Sequence, residues 1–133
     1  MRVADLMQID LVSVPPEATV AEAATLMAYA HVSALPVLNQ EGRLVGVIST
    51  TDIVNADVEH DEAKSRAALF EGTRVAQVMT ARPFTVGPES DVRQAARVMF
   101  YAGIRRVFVT CDDRPLGVLS TSDIVRGVAK GVI

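Results

Sequence analysis

The chain repeats itself, and this repetition restricts the fold more than any other feature of the sequence. Shifted by 72 residues, Val3-Ala4-x-x-Met7 falls on Val75-Ala76-x-x-Met79, and Val14-x-Pro16-Glu17-x-x-Val20 falls on Val86-x-Pro88-Glu89-x-x-Val92. Ala23-Ala24-x-x-Met27-x-Tyr29-Ala30 falls likewise on Ala95-Ala96-x-x-Met99-x-Tyr101-Ala102. The offset then drops to 71, and the run from Gly46 through Ser49 and Asp52 to Val54 falls on the run from Gly117 through Ser120 and Asp123 to Val125. One residue is lost between the two blocks, in a turn, where length changes are tolerated. The stretch between the copies, roughly residues 56–73, is polar and charged. It holds Asp57, Glu59, His60, Asp61, Glu62, Lys64 and Arg66, with Ala63, Ala67, Ala68 and Phe70 spaced among them so that a short helix is admissible. The chain therefore divides into a first repeat over 1–58, a linker over 59–72 and a second repeat over 73–133.

Within each copy the pattern predicts strand, helix, strand, strand, helix. In the first, Leu11-Val12-Ser13-Val14 is β-prone and stops at Pro15-Pro16. Thr19 and Glu22 have capping-box spacing, and Val20, Ala23, Ala24 and Met27 follow as a helical apolar stripe that ends near Ala30-His31. Leu35–Leu38 and Leu44–Ile48 read as a hairpin about the turn Asn39-Gln40-Glu41-Gly42, and a second helix runs from about Thr51 to Val58. The second copy gives a strand at Phe84–Val86, a helix opening at Asp91, and a hairpin from Val107–Thr110 to Leu116–Leu119 across Cys111–Pro115. Its last helix starts near Ser122 or Asp123. The expected class is α+β, with a sheet covered by helices in each copy. A unit this small is marginal alone, so two copies related by a pseudo-twofold are expected to support one another. Met27 and Met99 continue apolar stripes and belong to the core; Tyr29 and Tyr101, near helix ends, suit an interface.

Composition excludes several classes. Half the residues are hydrophobic and the mean hydropathy is +0.28, which is too apolar for a disordered chain. A net charge of −3 argues against a dedicated nucleic-acid binder, which needs a basic footprint. Apolar runs are short, so no membrane span is expected, and the first residues lack a signal-peptide pattern. With Cys111 the single cysteine, no internal disulfide is available, and a cytoplasmic protein is expected. Asp112 and Asp113 beside Cys111 oppose a thiolate. His31 and His60 have no zinc-like spacing, and Glu59-His60-Asp61-Glu62 reads as solvated linker rather than a metal site. No phosphate-binding glycine loop, nucleophile set or paired histidines are present, so the chain is not expected to be an enzyme.

Three features, each present twice, carry a resemblance. They are a Met ahead of x-Val-x-Pro (Met7, Val14, Pro16; Met79, Val86, Pro88), the strands Leu35-Pro36-Val37 and Val107-Phe108-Val109, and a Gly-h-h-Ser-x-x-Asp run, where h is apolar. In this order and spacing the chain resembles a tandem pair of CBS domains, the repeat named after cystathionine β-synthase. The resemblance covers nearly everything but the linker. It implies a regulatory Bateman module that dimerises, acts on an unknown target protein and binds AMP, ADP, ATP or S-adenosylmethionine in clefts between repeats. It also implies that the Asp of Ser-x-x-Asp accepts from both ribose hydroxyls; a carboxylate is acceptor-only and a cis-diol supplies two donors.

Carried onto this chain, the resemblance gives two sites. The first uses Ser120 and Asp123, with Met7, Leu11 and Val12 flanking the base and with Arg105, Arg106 and Arg126 at the phosphates. The second uses Ser49, Asp52, Met79, Thr80 and Phe84, with Ser33 and Ala34 standing where the first has its arginine pair; Arg82 and His31 are the basic residues near by. The first is therefore expected to be the stronger nucleotide site. Two alternatives stay open: Ser-x-x-Asp is also a helix capping box that needs no ligand, and the module can serve as a ligand-free adaptor.

Overall fold

A computed structural model describes residues 1–59 and 65–133. The chain separates into two compact units, one formed by Val12–Arg82 and the other by Met1–Leu11 together with Pro83–Ile133. The first eleven residues thus pack with the second repeat.

In the unit Val12–Arg82, helix α1 (Val20–Ala30) is followed by strands β1 (Ala34–Leu38) and β2 (Leu44–Ser49) and helix α2 (Thr50–Val58). Helices α3 (Arg66–Gly72) and α4 (Val75–Val78) and the short strand β3 (Thr80–Ala81) complete it. The sheet order is β1-β2-β3, all antiparallel, with Val14 bridged in parallel to Val37 at the other edge. Of the expected strand Leu11–Val14 only Val14 pairs: its N–H donates to the Pro36 carbonyl and its carbonyl accepts from the Leu38 N–H. Pro15 follows at once, has no N–H to donate, and ends the pairing. Thr19 caps α1 by accepting from the Glu22 N–H at 3.1 Å. Val14, Ala23, Met27, Leu35, Val37, Ile48 and Val75 form the core.

The other unit repeats the plan. A 3-10 turn at Val3–Asp5 precedes β4 (Thr85–Val86), α5 (Val92–Ala102), β5 (Arg106–Cys111), β6 (Arg114–Ser120) and α6 (Thr121–Ala129). Strand β4 lies parallel to β5, and β5 antiparallel to β6. The far edge of β6 is closed by Gln8, which exchanges two backbone hydrogen bonds with Val118, 2.8 and 2.9 Å long. The core is Val3, Val86, Ala95, Met99, Val107, Val109 and Leu119.

The missing residue is in the hairpin, as the offset change required. Leu38 faces Leu44 across five residues, whereas Thr110 faces Pro115 across four, of which Cys111 and Arg114 also pair. The expected turn Cys111–Pro115 is therefore too long: the reversal is Asp112-Asp113 alone, both left-handed at φ 51° and 62°. A two-residue turn of that hand matches the twist of the flanking strands, and aspartate tolerates the left-handed region better than most residues. Cys111 is the exposed end of β5 rather than a turn residue.

Candidate functional site

The glycine and the methionine that the sequence shows as separate motifs are one device. A Cβ on Gly117 would lie 2.7 Å from the Gln8 carbonyl oxygen and 2.8 Å from the Met7 sulfur. A Cβ on Gly46 would lie 2.5 Å from the Met79 sulfur and 3.0 Å from the Thr80 carbonyl oxygen. Only a residue without a side chain lets these segments lie on the strand. Each strand then runs from its glycine, two apolar residues on, into the Ser-x-x-Asp helix start.

At that start both boxes close reciprocally. In α6 the Ser120 Oγ accepts from the Asp123 N–H at 3.2 Å, and Asp123 Oδ2 accepts from the Ser120 N–H at 2.8 Å and from Ser120 Oγ at 2.9 Å. In α2 the Ser49 Oγ accepts from the Asp52 N–H at 3.1 Å and Asp52 Oδ2 accepts from the Ser49 N–H at 2.8 Å. The capping function is thus realised in both. The residues ahead of the inner strands are tied to the same corner: the Thr121 N–H donates to the Arg105 carbonyl and the Thr50 N–H to the Ser33 carbonyl, each at 2.9 Å. Arg106 pairs with Ser120 across β5 and β6, and Ala34 with Ser49 across β1 and β2. Arg105 is exposed, whereas Arg106 is half-buried, and burial together with the neighbouring Arg105 charge lowers its pKa from the ordinary guanidinium value.

The two carboxylates differ beyond the box. Asp123 is 4% exposed, and its Oδ1 accepts from Gln8 Nε2 at 3.1 Å and from the Arg126 guanidinium. Asp52 is half-buried, and among the described residues its Oδ1 receives only the Thr80 hydroxyl, at the long distance of 3.5 Å. Asn55 occupies the helical position that Arg126 holds in α6.

Ser120, Asp123, Arg105, Arg106, Arg126 and Met7 are therefore gathered in one unit, which also contains Leu11; Val12 begins the other unit. Ser49, Asp52, Met79, Thr80 and Ser33 share the unit Val12–Arg82, and Phe84 falls outside it. His31 caps the C-terminus of α1 with φ 54°, and Arg82 is exposed with φ 53°. Gln8 went unnoticed in the sequence, although the 72-residue shift that aligns Met7 with Met79 also aligns Gln8 with Thr80. Of the acidic run Glu59-His60-Asp61-Glu62, the last three lie outside the described residues. Among the described residues no group of three or more His, Cys, Asp or Glu is placed to hold a metal, and no helix is long and apolar enough to cross a membrane.

The family model for the CBS domain matches residues 3–59 and again 75–130. The chain belongs to the CBS domain family. As a CBS pair it is 28% identical, over 73% of its own length and 73% of the other, to an uncharacterized protein of Methanocaldococcus jannaschii. It is 24% identical to the chloroplastic CBS domain-containing protein CBSX1 of Arabidopsis thaliana, over 91% of this chain and 60% of that protein. The crystal structure of CBSX2 in complex with AMP superposes with a TM-score of 0.84 at 28% identity, over 99% of this chain and 98% of the other. The two CBS repeats account for the duplicated order of elements, and their mixed α+β architecture matches that of solved CBS pairs.

Proposed function

We propose that this CBS pair is a regulatory module that binds an adenine nucleotide, without turnover, through Ser120 and Asp123, with Arg105 and Arg106 at the phosphates. The observation that carries the reading is the corner of α6. A buried carboxylate, an acceptor of the kind a cis-diol suits, stands at a helix start whose first amide donates to the Arg105 carbonyl, which supports a reading that joins sugar and phosphate recognition at this corner. The AMP held by CBSX2 supports the ligand class. Asp52 with Ser49, Met79 and Thr80 forms a second, less charged site in the same reading, with Ser33 where Arg105 would be. AMP, ADP, ATP and S-adenosylmethionine all carry the ribose the carboxylate requires.

Isothermal titration with AMP and ATP tests the assignment on the wild-type chain, Asp123→Asn and Arg105→Ala. Loss of one charge-assisted hydrogen bond is worth about 1.5–3 kcal/mol, so each substitution should weaken binding roughly tenfold or more. Unchanged affinity in both variants refutes the site.

A ligand-free adaptor is favoured by a different observation. Tyr29, Phe100 and Tyr101, at corresponding ends of α1 and α5, are 84%, 79% and 82% exposed. A second copy of the chain or a target protein would cover them. If AMP, ADP, ATP and S-adenosylmethionine all leave the melting temperature unmoved, the adaptor reading replaces the sensor.

A further inference from the structure

We infer that Arg126 is the specificity-determining residue of the Asp123 site: it competes with the sugar for the carboxylate, and so makes the site select nucleotides over uncharged nucleosides. The inference rests on the ribose-binding role proposed for Asp123.

A carboxylate offers about four acceptor positions. On Asp123 all are engaged, two on Oδ2 by the Ser120 amide and hydroxyl, and two on Oδ1 by the Gln8 amide and the Arg126 guanidinium. A ribose diol therefore enters only by displacing a partner. The Ser120 bonds belong to the capping box and to the strand end. The Gln8 amide hangs from a segment clamped to β6 by two backbone hydrogen bonds. Arg126 is the member able to leave, since its side chain is 57% exposed and sits one turn along α6.

Its departure strips a buried carboxylate of its counter-ion, which a neutral sugar does not repay. A ligand phosphate does: it gives the released guanidinium a new anion and takes Arg105 and Arg106 as well. The binding cost is therefore small for AMP and large for adenosine. The other repeat supplies the internal control. Asn55 replaces Arg126 there, and among the described residues Oδ1 of Asp52 faces only a distant Thr80 hydroxyl. That carboxylate can accept a sugar with no ion pair to break.

The test is calorimetric titration of AMP and adenosine into the full chain carrying Asp52→Asn, which silences the second carboxylate. With Arg126 present, AMP should bind at least about tenfold more tightly than adenosine. Adding Arg126→Met should tighten adenosine about fivefold to tenfold while AMP weakens or holds, so the preference collapses. Arg126→Lys keeps the charge without the planar fork, and should fall between the two; it carries the test if the methionine variant melts too low to titrate. If adenosine fails to gain in either variant while AMP still binds, the competitor role is refuted and the nucleotide site survives. If neither ligand binds any of these proteins, the Asp123 ribose reading has failed and the inference falls with it.

Discussion

Replacing Gly117 with alanine should unseat the N-terminal segment from β6 and disturb the proposed site from behind. The new methyl would sit 2.7 Å from the Gln8 carbonyl oxygen, a backbone atom, as well as 2.8 Å from the Met7 sulfur. The methionine can turn away, but the carbonyl moves only if residues 7–9 lift from the strand. Overpacking of this kind costs about 1–3 kcal/mol. Two backbone hydrogen bonds to Val118 weaken with it, each worth about 1 kcal/mol net. Alanine is easier to order in a strand than glycine, which returns roughly 0.5–1 kcal/mol. The net loss is about 3 kcal/mol. With an unfolding entropy of about 2.1 cal/mol/K per residue over 133 residues, the melting temperature should fall by about 10 °C. Gly46→Ala is the matched comparison. Its nearest atom is the flexible Met79 sulfur at 2.5 Å, and the backbone contact, Thr80 O, is looser at 3.0 Å. It should lose only about 1–2 kcal/mol, or roughly 5 °C. Circular-dichroism melts and urea titrations of both variants measure this directly. Equal losses, or a Gly117→Ala chain melting within 2–3 °C of wild type (less than about 1 kcal/mol), would falsify the claim that this glycine exists to admit the returning segment.

Three further outcomes are expected. His31 and Gly103 both hold the left-handed position after α1 and α5, at φ 54° and 68°, so His31→Gly should stabilise by about 1 kcal/mol and Gly103→Ala destabilise by about as much in denaturant titration. Ser120→Ala removes the cap of α6 and a donor to the buried Asp123, and should cost about 1–2 kcal/mol by the same measurement, with Ser49→Ala near the lower end. For Arg106 the sign is set by its depressed folded-state pKa. The charged form is disfavoured by folding, that cost is fully present below the folded pKa, and it is relieved only as pH rises through it; a guanidinium keeps its proton throughout the neutral range. From pH 6 to 9 this group therefore adds no slope to stability, but an anion settling between Arg105 and Arg106 should offset their repulsion. Sulfate should raise the melting temperature above that in chloride of equal ionic strength by more than its general salting-out effect, and Arg105→Ala should remove that excess.

Much of the site was legible because repetition reports on structure twice. The run repeated at offset 71 located both Ser-x-x-Asp helix starts, and the drop from 72 to 71 located the shortened hairpin. The helix caps at Thr19, Asp91, Ser49 and Ser120 followed from local chemistry, in which a side-chain oxygen satisfies amides within the same turn. The β-prone run Leu11–Val14 is not a full strand because β-propensity is a local quantity, whereas pairing needs a partner edge, and among its four residues Val14 meets one. The hairpin turn is shorter than Cys111–Pro115 for a related reason: Pro115 suggests a break, yet it stands opposite Thr110 in the ladder.

Short-range order thus lies open in this sequence: helices α1, α2, α5 and α6 with their caps follow from neighbours within a few positions, whereas the short helix α4 and strand β3 do not. Which elements share a core did not. That Met1–Leu11 completes the second repeat's sheet, and that the Gln8 amide joins Arg126 on one oxygen of Asp123, depends on contacts between residues more than a hundred positions apart, since Gln8 lies 115 positions from Asp123. The Arg126–Asp123 pair is local, three positions apart on one helix, but the approach of Gln8 is set by how whole strands and helices pack, which no local pattern encodes.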